Sequence, residues 1–556
     1  MVGIIGGLGA WFFRMLIGII HNLSFLGKFS FLYDANQHTP ESPWGIWIIL
    51  VPVAGAFGVA WLVKNFAPET KGHGVPEVMD AIHYGEGRIR PIVAVVKSLA
   101  SGLCIGSGGS VGREGPIVQI GAAFGSMLGQ WSHLPAHQRI TLIAAGAASG
   151  IAATFNTPLG GLVFSFELML LSINAANILP VTIATVTATA IGRLLLGLAP
   201  AFDILALRLP DLHLVQPWGL ILFFPFGVLM GLWSVLFVRG IYWAEDRFDS
   251  LPGNYYTRHA LGMAFVGLVI YLLQLFSGHY YVQGVGYATI VDVLNGPLSD
   301  PLFLLLLFAV KLLVTGLTLG SGGSGGIFSP SLFMGTVLGA AYGQISLGLF
   351  PELLIGPSTF VVSGMAAAIG GSTGAVMTAI VMIFEMTLDY NAILPIMISA
   401  TTAYAVRKAI CRESIYTLKP FRRGHVIPEG LEAAVLSSRR VSEVMGKTFS
   451  ILAPEKEQQQ EYGINILARE GTIIGPVYHV PSAIHERAKA ESLVTDRYII
   501  VPPNAGLVET LRTLKTKGAE FALISTNPGS RKTEDLVGVL TAREIAEAIQ
   551  RTAELL

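Results

Sequence analysis

Two glycine-rich stretches decide the fold: residues 106–116 read GSGGSVGREGP, and residues 320–330 read GSGGSGGIFSP. Seven of the eleven positions are identical at an offset of 214, and the same offset matches four later residues in each half. Those four pairs are Gly121/Gly335, Gly125/Gly339, Gly129/Gly343 and Gln130/Gln344. A further pair, Phe166–Glu167 with Phe384–Glu385, follows at an offset of 218. Coincidence between glycine-rich loops does not explain eleven matches at one offset, so the sequence predicts a two-fold structural repeat.

The composition places this repeat in a membrane. Of 556 residues, 52% are hydrophobic and 13% are charged, with 64 glycines, whereas a soluble globular chain carries about 25% charged residues. These values exclude an ordinary soluble enzyme, a disordered protein and a coiled coil, and they indicate a polytopic membrane protein. Two cysteines exclude a disulfide scaffold. A formal net charge of zero gives no support to nucleic-acid binding.

The charged residues are unevenly distributed along the chain. Residues 1–411 hold 35 of the 72 charged residues, and the remaining 145 residues hold 37. We therefore predict a membrane domain over residues 1–420, a linker over 421–436 and a soluble domain over 437–556. The N-terminal apolar stretch has no small-residue cleavage site after it, so Ala10–Ile20 is predicted to belong to the first helix rather than to a signal peptide.

The apolar segments are of two kinds. Some reach the roughly 20 residues that cross a bilayer: Trp44–Phe66, Ile178–Leu198, Trp218–Val238, His259–Leu275 and Pro301–Leu319. Others are too short or are interrupted by glycine and proline: Gly115–Leu128, Ile140–Phe155, Pro158–Leu171, Ser331–Leu347, Phe360–Ile369 and Ala375–Met386. Irregular backbone at membrane depth survives only where it is buried or lines a cavity. Interrupted segments at matching places in two halves therefore indicate a transport site between the halves.

The glycine loops have the features of an anion site. Pro116 and Pro330 stand where a first-turn proline starts a helix. The first N–H groups of a helix have no partner inside it and the helix dipole is positive there, so such ends bind anions. Gly72–Glu77 has the same order of glycine and proline. Three converging ends predict moderate binding of a small anion, as conduction requires; for any single loop, a buried helix start is the alternative.

These loops resemble the signature motifs of the CLC family of chloride channels and proton-coupled chloride transporters. The pattern G-S-G-I-P is matched in its glycines and proline by Gly72–Pro76, G-(K/R)-E-G-P by Gly112–Pro116, and G-x-F-x-P by Gly326–Pro330. Tyr416 stands where a tyrosine closes the family's central site. The resemblance covers about residues 1–420. It implies that the anion is bound by Gly72, His73, Gly74, Gly112, Arg113, Glu114, Gly115, Gly326, Ile327, Phe328 and Tyr416.

The resemblance also implies an architecture and an assembly. The fold class is an all-α polytopic membrane domain with an inverted two-fold repeat and broken helices, followed by a small α/β soluble domain. Family members are homodimers with one anion pathway in each subunit. We therefore expect a multi-pass protein of the cell inner or plasma membrane, with a cytoplasmic C-terminal domain. Its expected partners are chloride or a similar small anion, the lipid bilayer and a second copy of the chain, and no nucleic acid.

Glu114 is the residue on which the predicted function depends most. A lone carboxylate among anion-binding amides competes with the anion. When ionised it occupies an anion site and closes the path, and when protonated it leaves the path open. The alternative is a surface glutamate paired with Arg113. In family terms Glu114 resembles the gating glutamate, which is also the outer proton acceptor of exchangers.

His73 departs from the family pattern, which has serine at this position. An imidazole can donate a hydrogen bond to the anion, and an imidazolium adds charge. The alternative is that the side chain turns away and leaves binding to the backbone amides. Plant nitrate-selective relatives carry proline there, so this position leaves the preference between chloride and nitrate open.

A second departure concerns the proton route. Family exchangers typically have two adjacent glutamates after the segment that Pro158–Phe164 matches; here Glu167 matches the first and Leu168 replaces the second, the internal proton acceptor. Channel members are apolar there, so Leu168 favours passive, voltage- or pH-gated conduction, and a coupled chloride/proton antiporter is the alternative. Glu167 either carries protons with Glu114 or closes a helix end. Lys97 resembles a buried family lysine that adds positive potential.

The sequence of the soluble tail predicts an α/β domain. Strands are predicted at Arg497–Val501, Phe521–Ser525 and Leu536–Leu540, and helices at Leu507–Lys517 and Ala542–Thr552. Val537–Glu544 resembles the end of a CBS module and Val441–Met445 the start of a first module, whereas the segment 458–491 between them fits poorly, so the first module is predicted to be degenerate. Such pairs often bind adenine nucleotides, but Glu544 replaces the ribose-contacting aspartate. A purely structural dimerisation role is the alternative.

A distant alternative is a membrane-embedded enzyme with Glu114 as general base. That chemistry needs a nucleophile or a metal, and the sequence offers neither near Glu114. The twelve histidines show no metal-ligand spacing. We therefore predict that the protein is not an enzyme, holds no metal and requires no cofactor.

Overall fold

The computed structural model describes residues 1–170, 175–197, 217–350, 356–388, 390, 392–425, 427, 440–446, 449–452, 464–477, 495–527, 530–545 and 547. The chain forms two compact units, residues 1–430 and 431–556. The helices of the first unit are α1 (Val2–Leu26), α2 (Leu50–Asn65), α3 (Val75–His83), α4 (Ile92–Gly106), α5 (Glu114–Trp131), α6 (Ala136–Phe155), α7 (Pro158–Phe164), α8 (Ala175–Leu196), α9 (Phe223–Ser250), α10 (Tyr255–Ser277), α11 (Tyr287–Asn295), α12 (Pro301–Gly320), α13 (Phe328–Leu349), α14 (Pro357–Thr373), α15 (Val376–Thr387), α16 (Ile393–Ile410) and α17 (Leu418–Arg422).

The predicted membrane architecture is confirmed. Within the described residues, eight helices are long and apolar enough to cross a bilayer. The five long predicted spans correspond to helices α2, α8, α9, α10 and α12, and Ala10–Ile20 lies inside α1. A π-helical turn over Ser165–Met169 continues α7.

Several predicted short segments are longer in the structure, and two of them lie in helices of at least 20 residues. Ile140–Phe155 lies in the 20-residue α6 and Ser331–Leu347 in the 22-residue α13. Both helices start earlier than their apolar runs, because polar residues and proline are tolerated in a first turn. Helices α4 and α16 were absent from the predicted segments.

The halves break their helices at equivalent positions. Helix α6 is followed by Asn156, with φ of 59°, and only Thr157 then precedes the proline that starts α7. Helix α14 is followed by Gly374, with φ of 80°, and only Ala375 then precedes α15. A left-handed residue ends a helix because it turns the backbone out of the hydrogen-bonded path. The two residues are 218 apart, which is the offset of the Phe–Glu pairs.

Repeated glycines explain how the helices pack within each half. A methyl group on Gly121 of α5 would overlap the backbone of Gly146 in α6, and one on Gly335 of α13 would overlap Gly364 in α14. Small residues at a crossing let two helix backbones approach closely, which provides packing energy where apolar lipid supplies no hydrophobic drive. The matched glycines at the 214 offset are thus crossing points of the same helix pair in each half.

The second unit is α/β, as predicted. It contains β1 (Phe449–Leu452), β2 (Ile464–Arg469), β3 (Thr472–Val477), β4 (Tyr498–Val501), α18 (Leu507–Lys517), β5 (Phe521–Ser525) and β6 (Leu536–Thr541). Sheets β1-β2-β3 and β4-β5-β6 have the same pattern, in which the first pair is parallel and the second antiparallel. Most of the predicted closing helix Ala542–Thr552 lies outside the described residues.

Candidate functional site

The glycine loops of the two halves join directly. The Gly112 N–H donates to the Gly326 carbonyl at 2.7 Å, and the Gly326 N–H donates to the Gly112 carbonyl at 2.6 Å. This reciprocal pair relates the two loops by a local two-fold axis. Helix α5 begins two residues after Gly112 and α13 two residues after Gly326. The N-termini of two buried helices therefore start on either side of one point, as the repeat predicted.

The third predicted loop joins the same assembly. Gly72 N–H donates to the Gly323 carbonyl at 3.0 Å, and Gly325 N–H donates to the Gly72 carbonyl at 3.3 Å. A methyl group on Gly115 would overlap both the His73 carbonyl oxygen and the Gly326 backbone. The three motifs that sequence analysis singled out are thus in contact around the start of α5.

Glu114 lies at the point where these loops meet. Among the described residues, its carboxylate is held by the hydroxyl groups of two side chains, an arrangement called here the Glu114 clamp. The Glu114 side chain is 1% exposed. Tyr287 donates to one carboxylate oxygen, and Ser329 donates to the other at 2.5 Å. The Arg113 Nε lies 3.8 Å from the carboxylate, and its guanidinium carbon lies 5.1 Å from the centre of the Tyr287 ring.

These contacts are suited to the ionised form of the Glu114 carboxylate. An ionised carboxylate only accepts hydrogen bonds, and each hydroxyl has one hydrogen to donate. Because Tyr287 and Ser329 can both donate to Glu114, the geometry accommodates an ionised carboxylate; the two hydroxyl oxygens also lie 3.0 Å from each other. Burial makes a charge without partners costly, and charge-assisted bonds offset that cost. Arg113 is 8% exposed, so Glu114 is not the surface ion pair that was the alternative prediction.

Tyr287 belongs to a fourth loop that the sequence analysis missed. Gly284–Tyr287 repeats Gly72–Val75 at an offset of 212. Gly74 precedes the nine-residue α3 with φ of 87°, and Gly286 precedes the nine-residue α11 with φ of 77°. Both positions need the left-handed conformation that glycine adopts without strain. Extending the repeat upstream would have found this loop.

Two buried lysines hold these outer loops in equivalent ways. Lys97 Nζ donates to the carbonyls of Thr70 and Gly72 at 3.0 and 2.7 Å. Lys311 Nζ donates to the carbonyls of Val282 and Gly284 at 2.9 and 3.1 Å. Both lysines are fully buried and are 214 positions apart. Each lysine therefore lies behind a glycine loop and satisfies two backbone carbonyls.

His73 and Tyr416 face each other beside this assembly. They are 5% and 2% exposed, and their ring centroids lie 5.9 Å apart. His73 Nε2 lies 3.4 Å from the Tyr242 hydroxyl, while its Nδ1 is buried and has no hydrogen-bond partner in the described part of the chain. No described residue hydrogen-bonds to the Tyr416 hydroxyl either. The imidazole of His73 is therefore buried in contact with Tyr416 and leaves one nitrogen without a partner.

Ion pairs fix the segment that carries Tyr416. In α17, Lys419 Nζ lies 3.0 Å from Glu77 in the first turn of α3. Arg423 also pairs with Glu77, at 2.8 Å. These contacts tie the segment after Tyr416 to the helix that follows His73, so the two rings keep a fixed spacing.

Glu167 lies in a different set of contacts. Its carboxylate accepts from the backbone N–H groups of Met377 and Thr378 at 3.0 and 2.8 Å, at the start of α15. Glu385 accepts in the same way from Leu159 and Gly160, at the start of α7, at 3.0 and 2.6 Å. The two glutamates are reciprocal helix caps. This arrangement favours the helix-end interpretation of Glu167.

Three further residues named in the sequence analysis are buried next to these loops or in the turn after α7. Ile327 and Phe328 are 1% and 3% exposed and begin α13. Leu168 is 4% exposed in the turn that follows α7. Among the described residues, no three His, Cys, Asp or Glu side chains are grouped as a metal site. Broken helices whose ends converge on a buried carboxylate between two repeats define a membrane transport protein.

Comparisons with known proteins assign the family. The family model described as voltage gated chloride channel matches residues 55–408. The H(+)/Cl(-) exchange transporter ClcA of Vibrio vulnificus strain YJ016 is 33% identical over 429 residues, which cover 75% of this chain and 87% of that protein. ClcA of Vibrio parahaemolyticus is 35% identical over 386 residues, covering 67% and 79%. The chain belongs to the CLC family, whose members transport chloride and similar small anions.

Solved structures agree with this assignment. A slow cyanobacterial Cl-/H+ antiporter superposes with a TM-score of 0.67 at 27% identity, covering 76% of this chain and 96% of that one. A CLC-type fluoride/proton antiporter gives a TM-score of 0.59 at 25% identity, covering 75% and 94%. A eukaryotic CLC transporter, at 20% identity and a TM-score of 0.63, covers 98% of this chain and supports the fold alone. These relatives are transporters, which confirms that the protein is not an enzyme.

Proposed function

We propose that this protein exchanges chloride for protons across a membrane, with Glu114 as the group that both gates the anion path and carries the proton. The observation that carries the proposal is the Glu114 clamp, where a buried carboxylate contacted by two hydroxyls lies at the joined helix starts of the two halves. The names of the relatives support exchange over the passive conduction that Leu168 favoured. We therefore adopt the alternative of the sequence analysis.

The clamp suggests how one residue serves both substrates. While ionised, Glu114 receives the hydroxyl hydrogens of Tyr287 and Ser329, and an anion is excluded from those donors. Protonation removes the charge that makes these bonds strong. The two hydroxyls and the free N–H groups at the start of α13 then become available to an anion. Proton binding and anion binding at this point therefore depend on each other.

The inner half of the pathway is proposed to involve His73 and Tyr416. Both rings are buried, and both present polar groups without a protein partner among the described residues. Such groups bind a ligand at little desolvation cost, because they leave no existing bond. The Tyr416 hydroxyl can donate to an anion, as can the amides at Gly74 and Val75 that begin α3.

Reversal potentials in liposomes test the proposal. Purified protein is reconstituted and the zero-current potential is measured under a chloride gradient, then under a pH gradient. We expect the potential to respond to both gradients in a fixed ratio, and a chloride gradient to drive protons against their own gradient. A reversal potential set by chloride alone, with no proton movement, would support passive conduction instead. Repeating the series with nitrate and fluoride tests the anion preference.

Other parts of the sequence interpretation remain predictions. We propose a homodimer, a cytoplasmic second unit and an adenine-nucleotide or purely structural role for that unit. The matched strand pattern of its two sheets supports a pair of similar modules, and a degenerate first module stays a prediction. Cross-linking in membranes and nucleotide titration of the purified chain test these points.

A further inference from the structure

His73 presents an unusual buried nitrogen. Its ring is 5% exposed, and Nδ1 lies inside the protein without a partner in the described residues. The other nitrogen, Nε2, lies 3.4 Å from the Tyr242 hydroxyl. That hydroxyl donates its hydrogen to the Ile415 carbonyl at 2.8 Å. Tyr242 therefore has only an oxygen lone pair to offer His73.

This bonding pattern sets the tautomer of the neutral ring. Since Tyr242 accepts, Nε2 carries the hydrogen, and Nδ1 is left with a bare lone pair. A buried acceptor without a donor costs free energy. A lone pair beside an anion would add repulsion to that cost. The neutral ring is thus a poor neighbour for chloride, whereas a ring protonated at Nδ1 would donate to it.

The charged groups around His73 decide when that proton can bind. Lys97 of α4 donates to Gly72, the neighbouring residue. Lys419 of α17 lies 3.0 Å from Glu77 of α3. Tyr242 and Tyr416 are the other titratable side chains that pack against the ring. Burial opposes a further positive charge at His73 most strongly, and two lysines against one carboxylate add to that opposition. An anion at the ring would offset that opposition.

We propose that His73 is a proton-linked anion ligand: Nδ1 takes up a proton when an anion binds beside the His73 ring. The proton comes from water and returns to it when the anion leaves, with no other bond made or broken. This inference rests on the proposed function and deepens it, because it adds an inner titratable group. Leu168 cannot carry a proton, and Glu167 is used as a helix cap.

Chloride binding to the full-length Glu114→Gln protein tests the proposal, because this variant removes the titration of the gate. Calorimetric titration is done in two buffers of different ionisation enthalpy, from about pH 7.5 to about pH 5, the range in which histidine titrates. We expect proton uptake on chloride binding and a roughly tenfold gain in affinity at the lower pH, within the usual range for two linked ligands. The double variant Glu114→Gln/His73→Ser should bind chloride without either effect.

A matched control uses the other buried histidine with an unpartnered nitrogen. His259 is fully buried, bonds Ser321 through Nδ1 at 2.9 Å and has no partner for Nε2 in the described residues. Glu114→Gln/His259→Gln should keep the proton uptake. The proposal is overturned if chloride binding to Glu114→Gln takes up no proton, or if the uptake persists without His73. Wild-type reversal potentials judge the proposed function separately, since this binding assay needs no exchange.

Discussion

Replacing Tyr287 by phenylalanine should make the gate open at a higher pH. The substitution removes one of the two hydroxyls that donate to Glu114 and keeps the ring, which packs beneath Arg113. Ser329 still donates to the other carboxylate oxygen. The ionised, closed form of Glu114 therefore loses one charge-assisted bond, while the protonated form loses only a neutral one.

The size of the shift follows from the difference between those two bonds. A hydrogen bond to a charged group contributes about 1.5–3 kcal/mol and a neutral one about 0.5–1.5 kcal/mol. The ionised form is thus destabilised relative to the protonated form by about 1–1.5 kcal/mol. One pH unit corresponds to about 1.4 kcal/mol. Because the lost bond stabilised the ionised form, protonation becomes easier, and the midpoint of pH-dependent flux should rise by about one unit.

Chloride efflux from liposomes, measured from about pH 4 to about pH 8, reports this midpoint. Ser329→Ala should move it in the same direction, since it removes the second donor. Two controls remove hydroxyls nearby that do not touch Glu114. Tyr280→Phe loses a bond from the Ser42 N–H, and Ser331→Ala loses a bond to the Ile327 carbonyl. A midpoint that stays fixed in both test variants, or that moves equally in the controls, would refute the clamp.

Glu114→Gln mimics the protonated gate, so chloride flux should be high, independent of pH and free of proton movement; wild-type pH dependence in flux measurements would contradict the assignment. Tyr416→Ala should raise uncoupled chloride flux in liposomes, because it opens the buried end beside His73, and unchanged flux with unchanged chloride affinity would reduce Tyr416 to packing. Glu167→Gln and its symmetric counterpart Glu385→Gln should lower the melting temperature to a similar extent, since both cap helix starts. If Glu167 also carries protons, only its variant should slow proton flux more than chloride flux.

Much of the fold could be predicted because the features that build it are local. Glycine and proline at fixed offsets mark the broken helices, and long apolar runs mark the spans. Helix starts were less accurate elsewhere, as at Ala136, since polar residues in a first turn hide the start of a buried helix. Helix α16 was missed because Ser399, Thr401 and Thr402 interrupt its apolar run in the middle of the helix.

The candidate site was predicted only in part. Gly112 and Gly326 could be found because they are matched positions of the repeated motif. Glu114 could be found because it is a carboxylate within that glycine-rich motif. Tyr287 and Ser329 could not, because a tyrosine and a serine in apolar surroundings carry no signal until the fold brings them to Glu114 from 173 and 215 positions away. The loop that carries Tyr287 repeats at an offset of 212 rather than 214, and this change of offset concealed it.

The structure also shows why a symmetric scaffold holds an asymmetric site. At the repeat offset, Glu114 corresponds to Phe328 and Ser329 corresponds to Gly115, so the first half supplies the carboxylate and the second supplies the hydroxyl. Gly115 cannot carry a side chain, because the His73 carbonyl and the Gly326 backbone occupy that space. A hydroxyl is therefore possible only in the second half. One carboxylate facing two donors is a site that a proton can switch, whereas two facing carboxylates would repel each other and share a proton.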